Sequence, residues 1–579
     1  MNKYTDETNI RILISLLKKH NIKDIIVNPG TTNISFVASI QNDNFFTLHS
    51  CVDERSSAYM ACGIAAETNR PVVLTCTGAT ASRNYMPGLT EAFYSKLPVI
   101  AITATQHQGR IGQNVAQVID RSMPLKDIVK TSVTIPSVYT EEDHWACNLA
   151  INNALLECTH NGCGPVHINM VTTYSNNFTK DPLPDERLIQ RVSYFDEVPK
   201  IETDNVAIFI GAHSVIGTDL QNQIEKFCEK YNGVVLCDHT SNYYGKYKVL
   251  ANLTMSQPTK TSTDLRNIKL LLDIGNISGA YAGLSPQTVW RINPDGIIRD
   301  TYKKLTTIFE MREIDFFDKY NSLPEDTNKN STYFKKWNEY DNIVRKKFDN
   351  TELPFSNIWV AKNLAQKITE QDIIHFGILN TLRSWNFIQQ NTIKKCHCNT
   401  GGFGIDGIMS TAIGNSLYTT NKIYCLIGDL AFFYDINSLG NNEIKNNLRI
   451  LLINNGCGTE FHNFNHRASK ISSEQKMDIK FFAADGHFGN KSKTLVKHFA
   501  IDLGFDYLSA SNKEEFMQNI NTFTKEYSEK PIIFEIFTNE RDESDALKAV
   551  CNLDKDITSM TKKILNEKSK KILKNIIYR

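Results

Sequence analysis

Gly428-Asp429-Leu430-Ala431 and Asn454-Asn455-Gly456-Cys457 are the two ends of the stretch that decides the fold. The apolar residues 423–427 precede the first end, and the apolar residues 450–453 precede the second. This order predicts a strand, an acidic turn, a helix, a strand and an amide turn, with both turns at the same end of a parallel sheet. Open α/β sheets bind ligands at that end, so the stretch indicates a binding site.

The two turns carry the atoms that a metal ion and a phosphate group need. Asp429 offers a carboxylate and Asn455 an amide oxygen, and oxygen ligands suit Mg²⁺, which often bridges to phosphates. Backbone N–H groups at the start of a helix favour a diphosphate. Taken alone, the pattern is also compatible with an ordinary βαβ turn that carries a surface aspartate.

Length and composition describe a large globular protein. The chain has 579 residues, 41% of them hydrophobic and 22% charged, which favours several domains over a single core. The net charge of +1 makes no electrostatic case for nucleic acid or membrane binding. The sequence lacks a bilayer-spanning apolar run and the apolar core of a signal peptide. The 13 scattered cysteines indicate reduced, mostly buried thiols and a cytoplasmic location.

The N-terminal part alternates helix and strand signals. Ile10, Leu13, Ile14 and Leu17 repeat at helical spacing, which predicts an amphipathic first helix. Buried strands are predicted at residues 25–27, 71–76, 98–103 and 165–171. Alternation at this length predicts a doubly wound α/β domain.

Two motifs together resemble the thiamine-diphosphate (ThDP)-dependent enzyme family. The diphosphate-binding motif of that family is similar to the order Gly428-Asp429, helix, Asn454-Asn455 in this sequence. The elements around Asp53-Glu54-Arg55 are similar to its pyrimidine-binding domain. The resemblance implies an α/β protein with three doubly wound parallel-sheet domains. These are a pyrimidine-binding domain at 1–180, a middle domain at 195–320 and a diphosphate-binding domain at 355–545, with a basic helical tail at 546–579.

The resemblance implies ThDP and Mg²⁺ as cofactors and assigns residues to them. Glu54 would hydrogen-bond N1′ of the aminopyrimidine, so that its 4′ nitrogen takes the C2 proton of the thiazolium. Asp429, the Asn455 side chain and the Cys457 carbonyl would hold Mg²⁺. The other implied cofactor contacts are Thr77, Gly78, Gly404, Ile405, Gly428, Leu430 and Ala431. If the resemblance is set aside, Glu54 is an acidic residue at the start of a helix, where the helix dipole favours it. Ile405 is then an ordinary residue of the hydrophobic core.

The sequence more closely resembles one branch of the family, the menaquinone-pathway synthases that make 2-succinyl-5-enolpyruvyl-6-hydroxy-3-cyclohexene-1-carboxylate. The likeness rests on residues 53–56, 84–87, 117–120, 404–407 and 428–430, and it is weak in the middle of the chain. Enzymes of that branch bind polyanionic substrates with several arginines. Of the corresponding positions in this sequence, only Arg383 carries an arginine. Thr32, Gln106 and Thr400 stand where the others would be, which removes most bidentate carboxylate recognition. We therefore expect isochorismate to be a poor acceptor with 2-oxoglutarate as donor.

The remaining candidate residues are also assigned by resemblance. Substrate contacts are expected from Thr32, Asn33, Arg110, Arg383 and Thr400, and catalytic roles from Glu54, Gln117 and Glu460. Gln117 would lie near the donor carbonyl, and its alternative is a polar loop residue. Glu460 would handle protons on the reacting substrate, and its alternative is an exposed surface residue.

Two further patterns predict little. Cys396-His397-Cys398 lacks a fourth ligand at zinc-finger spacing, which argues against a zinc site. Gly211-Ala212-His213-Ser214 is not a Gly-x-Gly-x-x-Gly fingerprint, so FAD is not expected in the middle domain.

The sequence thus predicts a ThDP- and Mg²⁺-dependent homo-oligomer, a dimer or tetramer with active sites at the subunit interface. It would decarboxylate a 2-oxo acid donor and transfer the acyl-anion equivalent to a carbonyl or unsaturated acceptor. The alternatives are a plain decarboxylase that releases an aldehyde, a ThDP-dependent hydrolase of a cyclic dione, and a cofactor-binding regulatory paralogue. Glu54 argues against the last, because a protein without chemistry has no need of that carboxyl group.

Overall fold

The computed structural model describes residues 3–180, 182–203, 205–279, 283–324, 332–389, 392–485 and 492–555. Its strands form three sheets, of six, seven and six strands, and these three parallel α/β sheets confirm the predicted fold class. Residues 556–579 of the predicted basic tail lie outside the described residues, as do residues 325–331 of the polar run Asn321–Ser331, whose composition predicts a linker. Among the helices that are described, none combines the length and the apolar character that a membrane crossing needs.

The chain divides into two compact units. The first consists of Met1–Val192 and Ile297–Ile308, and the second of Ser193–Gly296 and Phe309–Arg579. The predicted boundaries of the three domains are finer than this division and remain a prediction.

The first unit is built on a sheet with the strand order β2-β1-β3-β4-β6-β5. Its strands are β1 (Asp24–Val27), β2 (Thr47–Ser50), β3 (Val72–Cys76), β4 (Val99–Thr105), β5 (Ser132–Ile135) and β6 (Val166–Val171). Its helices are α1 (Thr8–Lys19), α2 (Ile34–Ile40), α3 (Glu54–Thr68), α4 (Thr80–Asn84), α5 (Met86–Tyr94) and α6 (Glu141–Glu157). These bounds match the strands and the amphipathic first helix expected from the sequence.

Successive residues of the central strands of this sheet pack on opposite faces. Val73 and Ile100 lie in one buried cluster with residues of α1 and α6. Leu74 and Ala101 lie in a second cluster with residues of α3 and α5. Because side chains alternate along a strand, covering both faces requires continuous apolar runs, which is what the sequence contains.

The middle sheet lies mainly in the second unit, where its strands follow the order β10-β9-β8-β11-β12. The strands of this part of the chain are β7 (Gln190–Ser193), β8 (Val206–Ile210), β9 (Gly233–Cys237), β10 (Lys248–Leu250), β11 (Leu270–Ile274), β12 (Thr288–Ile292) and β13 (Leu305–Glu310). The helices are α7 (Thr218–Tyr231), α8 (Asn252–Met255), α9 (Lys260–Arg266), α10 (Glu313–Ser322) and α11 (Tyr333–Asp349).

The third sheet has the strand order β15-β14-β16-β17-β19-β18. Its strands are β14 (Ile373–Phe376), β15 (Cys396–Cys398), β16 (Ile423–Gly428), β17 (Leu448–Asn454), β18 (Asp506–Ala510) and β19 (Ile532–Phe537). The helices are α12 (Asn357–Leu364), α13 (Asn380–Trp385), α14 (Ile408–Ser416), α15 (Asp429–Tyr434), α16 (Thr459–His462), α17 (Arg467–Gln475), α18 (Leu495–Asp502), α19 (Lys513–Phe523) and α20 (Glu540–Val550). Parallel pairing sets Gly428 beside Ile453, so the acidic and amide turns end neighbouring strands, as predicted.

The cysteines behave as buried thiols. All 13 are free, and most of them are buried. Cys396 and Cys398 lie on β15, and His397 between them stacks on His375 with ring centroids 4.8 Å apart. Among the described residues these side chains form no group of three metal ligands.

Candidate active site

The first unit brings several predicted residues to the carboxyl ends of β1 and β3. The Thr32 hydroxyl oxygen lies 2.8 Å from that of Thr77 and donates to the Ala104 carbonyl at 3.3 Å. Asn33 is buried and donates to the Asn28 carbonyl at 3.0 Å. A cavity of 610 Å³ lies beside Asn28, Gly30 and Asn33. The Thr32 hydroxyl is engaged within the chain, so its contact with a substrate stays a prediction.

Gly78 and Gln117, both predicted site residues, approach each other closely. A Cβ atom at Gly78 would lie 2.8 Å from the Gln117 carbonyl oxygen. Gln117 has a φ of 64° and an exposed side chain. Ala79, which follows Gly78 in the chain and immediately precedes α4, has φ 55° and ψ −128°. Non-glycine residues with such positive φ angles store backbone strain and cluster at functional sites. An alanine in the sequence gives no indication of this conformation.

Glu54 is the first residue of α3. The helix is capped by Asp53, whose side chain accepts from the Ser56 backbone N–H. The Glu54 carboxylate is half-buried and accepts from Asn84 Nδ2 at 3.3 Å. No cationic side chain of the described residues forms an ion pair with it. One carboxylate oxygen is therefore available for an external partner.

Asn28, which no sequence motif singles out, is a structural centre of this region. Its Oδ1 accepts from Ser57 Oγ at 2.8 Å and from the Tyr85 hydroxyl at 2.6 Å. Its Nδ2 donates to the Cys51 carbonyl at 2.7 Å. The bond to Ser57 ties the end of β1 to α3, the helix that carries Glu54, and the other two bonds tie it to Tyr85 and Cys51.

In the second unit, Asp429 accepts three backbone hydrogen bonds. Its Oδ2 accepts from the N–H groups of Asn455 at 3.2 Å and Gly456 at 2.5 Å, and its Oδ1 accepts from that of Leu430 at 2.8 Å. Burial raises the pKa of Asp429 to about 6, although these hydrogen bonds oppose the shift. No Lys, Arg or His of the described residues pairs with it. A buried carboxylate without a cation is costly, which favours a bound metal ion.

A second cavity, of 570 Å³, lies in the same unit. Leu379, Arg383, Glu460 and Phe461 line it. Arg383 donates to both carboxylate oxygens of Glu460, at 2.5 and 2.8 Å. Leu379 precedes α13 with φ 65° and ψ −116°, a strained conformation for leucine. The structure thus joins two residues, Arg383 and Glu460, that the sequence analysis had assigned separately.

The remaining predicted residues have varied surroundings. Arg110 is exposed and donates to Gln106 Oε1. Thr400 is buried, and its methyl carbon would lie 3.5 Å from a Cβ atom at Gly279. Ile405 is partly buried against the core of the third sheet. A Cβ atom at Gly404 would lie 2.4 Å from Asp406 Oδ1, the end of an exposed side chain.

One group of metal-ligating side chains lies near the amide turn. Cys457, His462 and Asp485 place one ligand atom each within 4.8 Å of one another. The imidazole of His462 already lies 3.0 Å from Asp485 and 3.4 Å from Glu540. Burial raises the pKa of the Cys457 thiol to about 12. A protonated thiol is a poor metal ligand, so the group is better described as a histidine that contacts two carboxylates beside a thiol.

Comparison with known proteins agrees with this architecture. Residues 8–123 match the family described as "Thiamine pyrophosphate enzyme, N-terminal TPP binding domain". The chain is 31% identical over 565 residues to 2-succinyl-5-enolpyruvyl-6-hydroxy-3-cyclohexene-1-carboxylate synthase of Bacteroides thetaiotaomicron, with 94% of this chain and 98% of the relative covered. The synthase of the same name from Christiangramia forsetii is 27% identical, with 93% and 97% covered.

The fold and these matches define the class as thiamine-diphosphate-dependent enzymes. The chain belongs to this family, and its relatives there include the synthases just named.

The residues present fit ThDP and its metal ion. Asp429 offers a buried carboxylate without a cationic partner, and Asn455 follows the neighbouring strand. A Cβ atom at Gly428 would meet no atom within 4 Å, and α15 has no side-chain cap at its first turn. The Cys457 carbonyl accepts from the Thr459 N–H at 2.9 Å and retains a second lone pair.

Proposed function

We propose that the protein is a ThDP- and Mg²⁺-dependent carboligase. It decarboxylates a 2-oxo acid and transfers the acyl-anion equivalent to a carbonyl or unsaturated acceptor. The observation that carries this proposal is the buried Asp429 carboxylate, which lacks a cationic side chain and lies beside Asn455. Bound ThDP would supply an electron sink for the negative charge that remains when CO₂ leaves the 2-oxo acid.

The chain's own residues would bind the cofactor and move a proton. Asp429, Asn455 and the Cys457 carbonyl hold Mg²⁺, and the open space at Gly428 receives the diphosphate. Glu54 presents a half-buried carboxyl group, oriented by Asn84, to N1′ of the aminopyrimidine. A proton held there by Glu54 would set the tautomer of the ring and hence its basicity.

The two groups of residues belong to different compact units, with Glu54 in the first and Asp429 in the second. We propose that two copies of the chain form a homodimer, or a larger oligomer built from it. In that assembly the first unit of one copy and the second unit of its partner complete each site. The free thiols are consistent with a cytoplasmic enzyme.

The function predicts CO₂ release that depends on the cofactor. Purified protein with Mg²⁺ should release CO₂ from at least one member of a panel of 2-oxo acids, and only after ThDP is added. An adduct formed when aldehyde or enoate acceptors are present would support the carboligase, whereas free aldehyde alone would make the protein a plain decarboxylase. No ThDP-dependent CO₂ from any donor, together with cleavage of cyclic diones, would favour the hydrolase.

The Arg383–Glu460 pair bears on the substrate class. Its cavity of 570 Å³ is of the size that small-molecule sites use. The Glu460 carboxylate accepts two hydrogen bonds from the Arg383 guanidinium. It therefore occupies the N–H groups with which Arg383 would bind a substrate carboxylate. We infer that the wild-type site favours donors and acceptors without an additional carboxylate, in agreement with the threonines and glutamine at positions 32, 106 and 400.

Glu460→Gln should therefore broaden donor choice. Loss of the carboxylate leaves the Arg383 guanidinium free to bind a dicarboxylic donor such as 2-oxoglutarate. We expect KM for 2-oxoglutarate to fall about tenfold, because a hydrogen bond to a charged group is worth about 1.5–3 kcal/mol. KM for pyruvate should change little.

The comparison of KM with kcat separates the two roles considered for Glu460. If Glu460 transfers protons, kcat should fall for every donor and KM for 2-oxoglutarate should stay where it was, which would contradict the specificity role. Glu474→Gln, the same change at an exposed position on α17, is the matched control and should leave both constants unchanged.

A further inference from the structure

Arg121 is a buried cation that forms no ion pair with any carboxylate of the described residues. The residue is 5% exposed. Its Nη2 donates to the Ala104 carbonyl at 3.0 Å and to Asn169 Oδ1 at 2.9 Å. Its Nε and Nη1 have no hydrogen-bond partner among the described residues. Buried charges are normally paired, because an uncompensated charge in the interior is strongly destabilising.

The guanidinium lines a small cavity in the first unit. The cavity has a volume of 30 Å³. Arg83 and Thr103 line it as well, and the rest of its wall is mainly apolar, including Met86, Leu89 and Ala101. A single water needs roughly 10–15 Å³ of such space. The cavity therefore admits a particle of one or two atoms and excludes phosphate or an organic acid.

The charges around the cavity are unbalanced. Burial lowers the pKa of Arg121 to about 10, and the nearby Arg83 acts in the same direction. Arg121 thus remains protonated at neutral pH. His167, which also lines the cavity, is neutral, because burial lowers its pKa to about 3. Among the described residues, no Asp or Glu lines the cavity, so its lining is positive overall.

We propose that Arg121 and Arg83 bind a small monovalent inorganic anion in this cavity, with a halide such as chloride as the natural ligand class. An anion of this size would accept from the free N–H groups of Arg121 and neutralise its buried charge. Mainly apolar walls suit a monovalent halide better than a small, strongly hydrated anion such as fluoride, because less hydration free energy is lost on entry.

The position of the cavity gives the anion a structural role beside the predicted cofactor site. Arg121 anchors the carboxyl end of β4 through the Ala104 carbonyl. Its Nη1 lies 3.9 Å from the position of a Cβ atom at Gly78, which in turn faces the Gln117 carbonyl. A bound anion would hold the guanidinium in place and thereby stabilise the segment that carries Gln117.

Thermal unfolding of the full chain without ThDP tests the proposal. The melting temperature should rise saturably with sodium bromide or chloride. It should rise much less with sodium gluconate at equal ionic strength, since gluconate is too large to enter. Arg83→Ala should raise the apparent halide dissociation constant about tenfold, as expected for the loss of one charged donor. Arg70→Ala, which removes an exposed arginine beyond the end of α3, should leave the constant unchanged.

Crystals soaked in bromide give a direct readout. We expect an anomalous peak within contact distance of Arg121 in the wild type and a weaker peak in Arg83→Ala. Water alone in the cavity, or equal responses to bromide and gluconate, would overturn the proposal. Because neither measurement involves ThDP, failure here would leave the proposed enzymatic function unaffected.

Discussion

Asp429→Asn will remove the stabilisation of the protein by ThDP and Mg²⁺ while lowering the stability of the apo protein less than Asp429→Ala does. The folded-state pKa of Asp429 is raised to about 6 from an ordinary 3.8. An acid with a raised pKa destabilises the folded state when ionised, so at neutral pH the carboxylate carries a cost that asparagine avoids. Asparagine keeps one oxygen, which can accept from the Asn455 and Gly456 N–H groups as Oδ2 does, but its Nδ2 cannot accept from the Leu430 N–H and it loses the charge that binds the metal.

The measurement is the melting temperature with and without ThDP plus Mg²⁺. At a hundredfold excess over Kd, ligand binding stabilises the wild type by about 2.7 kcal/mol, and this increment should vanish in Asp429→Asn along with activity. Asp429→Ala should lose the increment too, but its apo form should melt lower, because three backbone N–H groups lose their acceptor. An undiminished shift in Asp429→Asn would refute the assignment of the metal site.

The architecture was accessible from sequence because it depends on local patterns. Strands such as β3 and β17 are buried on both faces and appear as continuous apolar runs, and the turns after them contain Asp, Asn and Gly. Parallel pairing then sets the acidic and amide turns side by side without further information. The same logic predicts that Thr77 and Gly78 follow a buried strand, as they do.

Contacts between distant residues were not accessible. Arg383 and Glu460 are separated by 77 positions, and their pairing depends on how α13 and α16 begin after their strands. Asn28 looked like a turn residue, yet its side chain is bonded to Ser57 and Tyr85. Arg121 lies in the sequence among polar residues and carries no sign of burial. In each case the property belongs to the packed chain rather than to its local spacing.

Glu54→Gln should leave folding and ThDP binding intact while suppressing proton chemistry. Glutamine still accepts from Asn84 Nδ2, and Asp53 still caps α3. An amide relays a proton poorly, so exchange of the C2 proton of bound ThDP should slow by about 10²- to 10⁴-fold. Quenched-flow NMR measures that exchange directly. Glu67→Gln, at an exposed position on the same helix, is the control and should exchange at the wild-type rate.

A mixed dimer of the two inactive variants tests the shared site. Glu54→Gln and Asp429→Asn subunits, co-expressed with different tags and purified as the heterodimer, would hold one site with both changes and one with neither. If Glu54 and Asp429 act across the interface, the heterodimer regains the activity of one site, although each homodimer is inactive. If both residues of a site come from one chain, every site carries one change and no activity returns. Recovery of CO₂ release in the heterodimer therefore decides between the two arrangements.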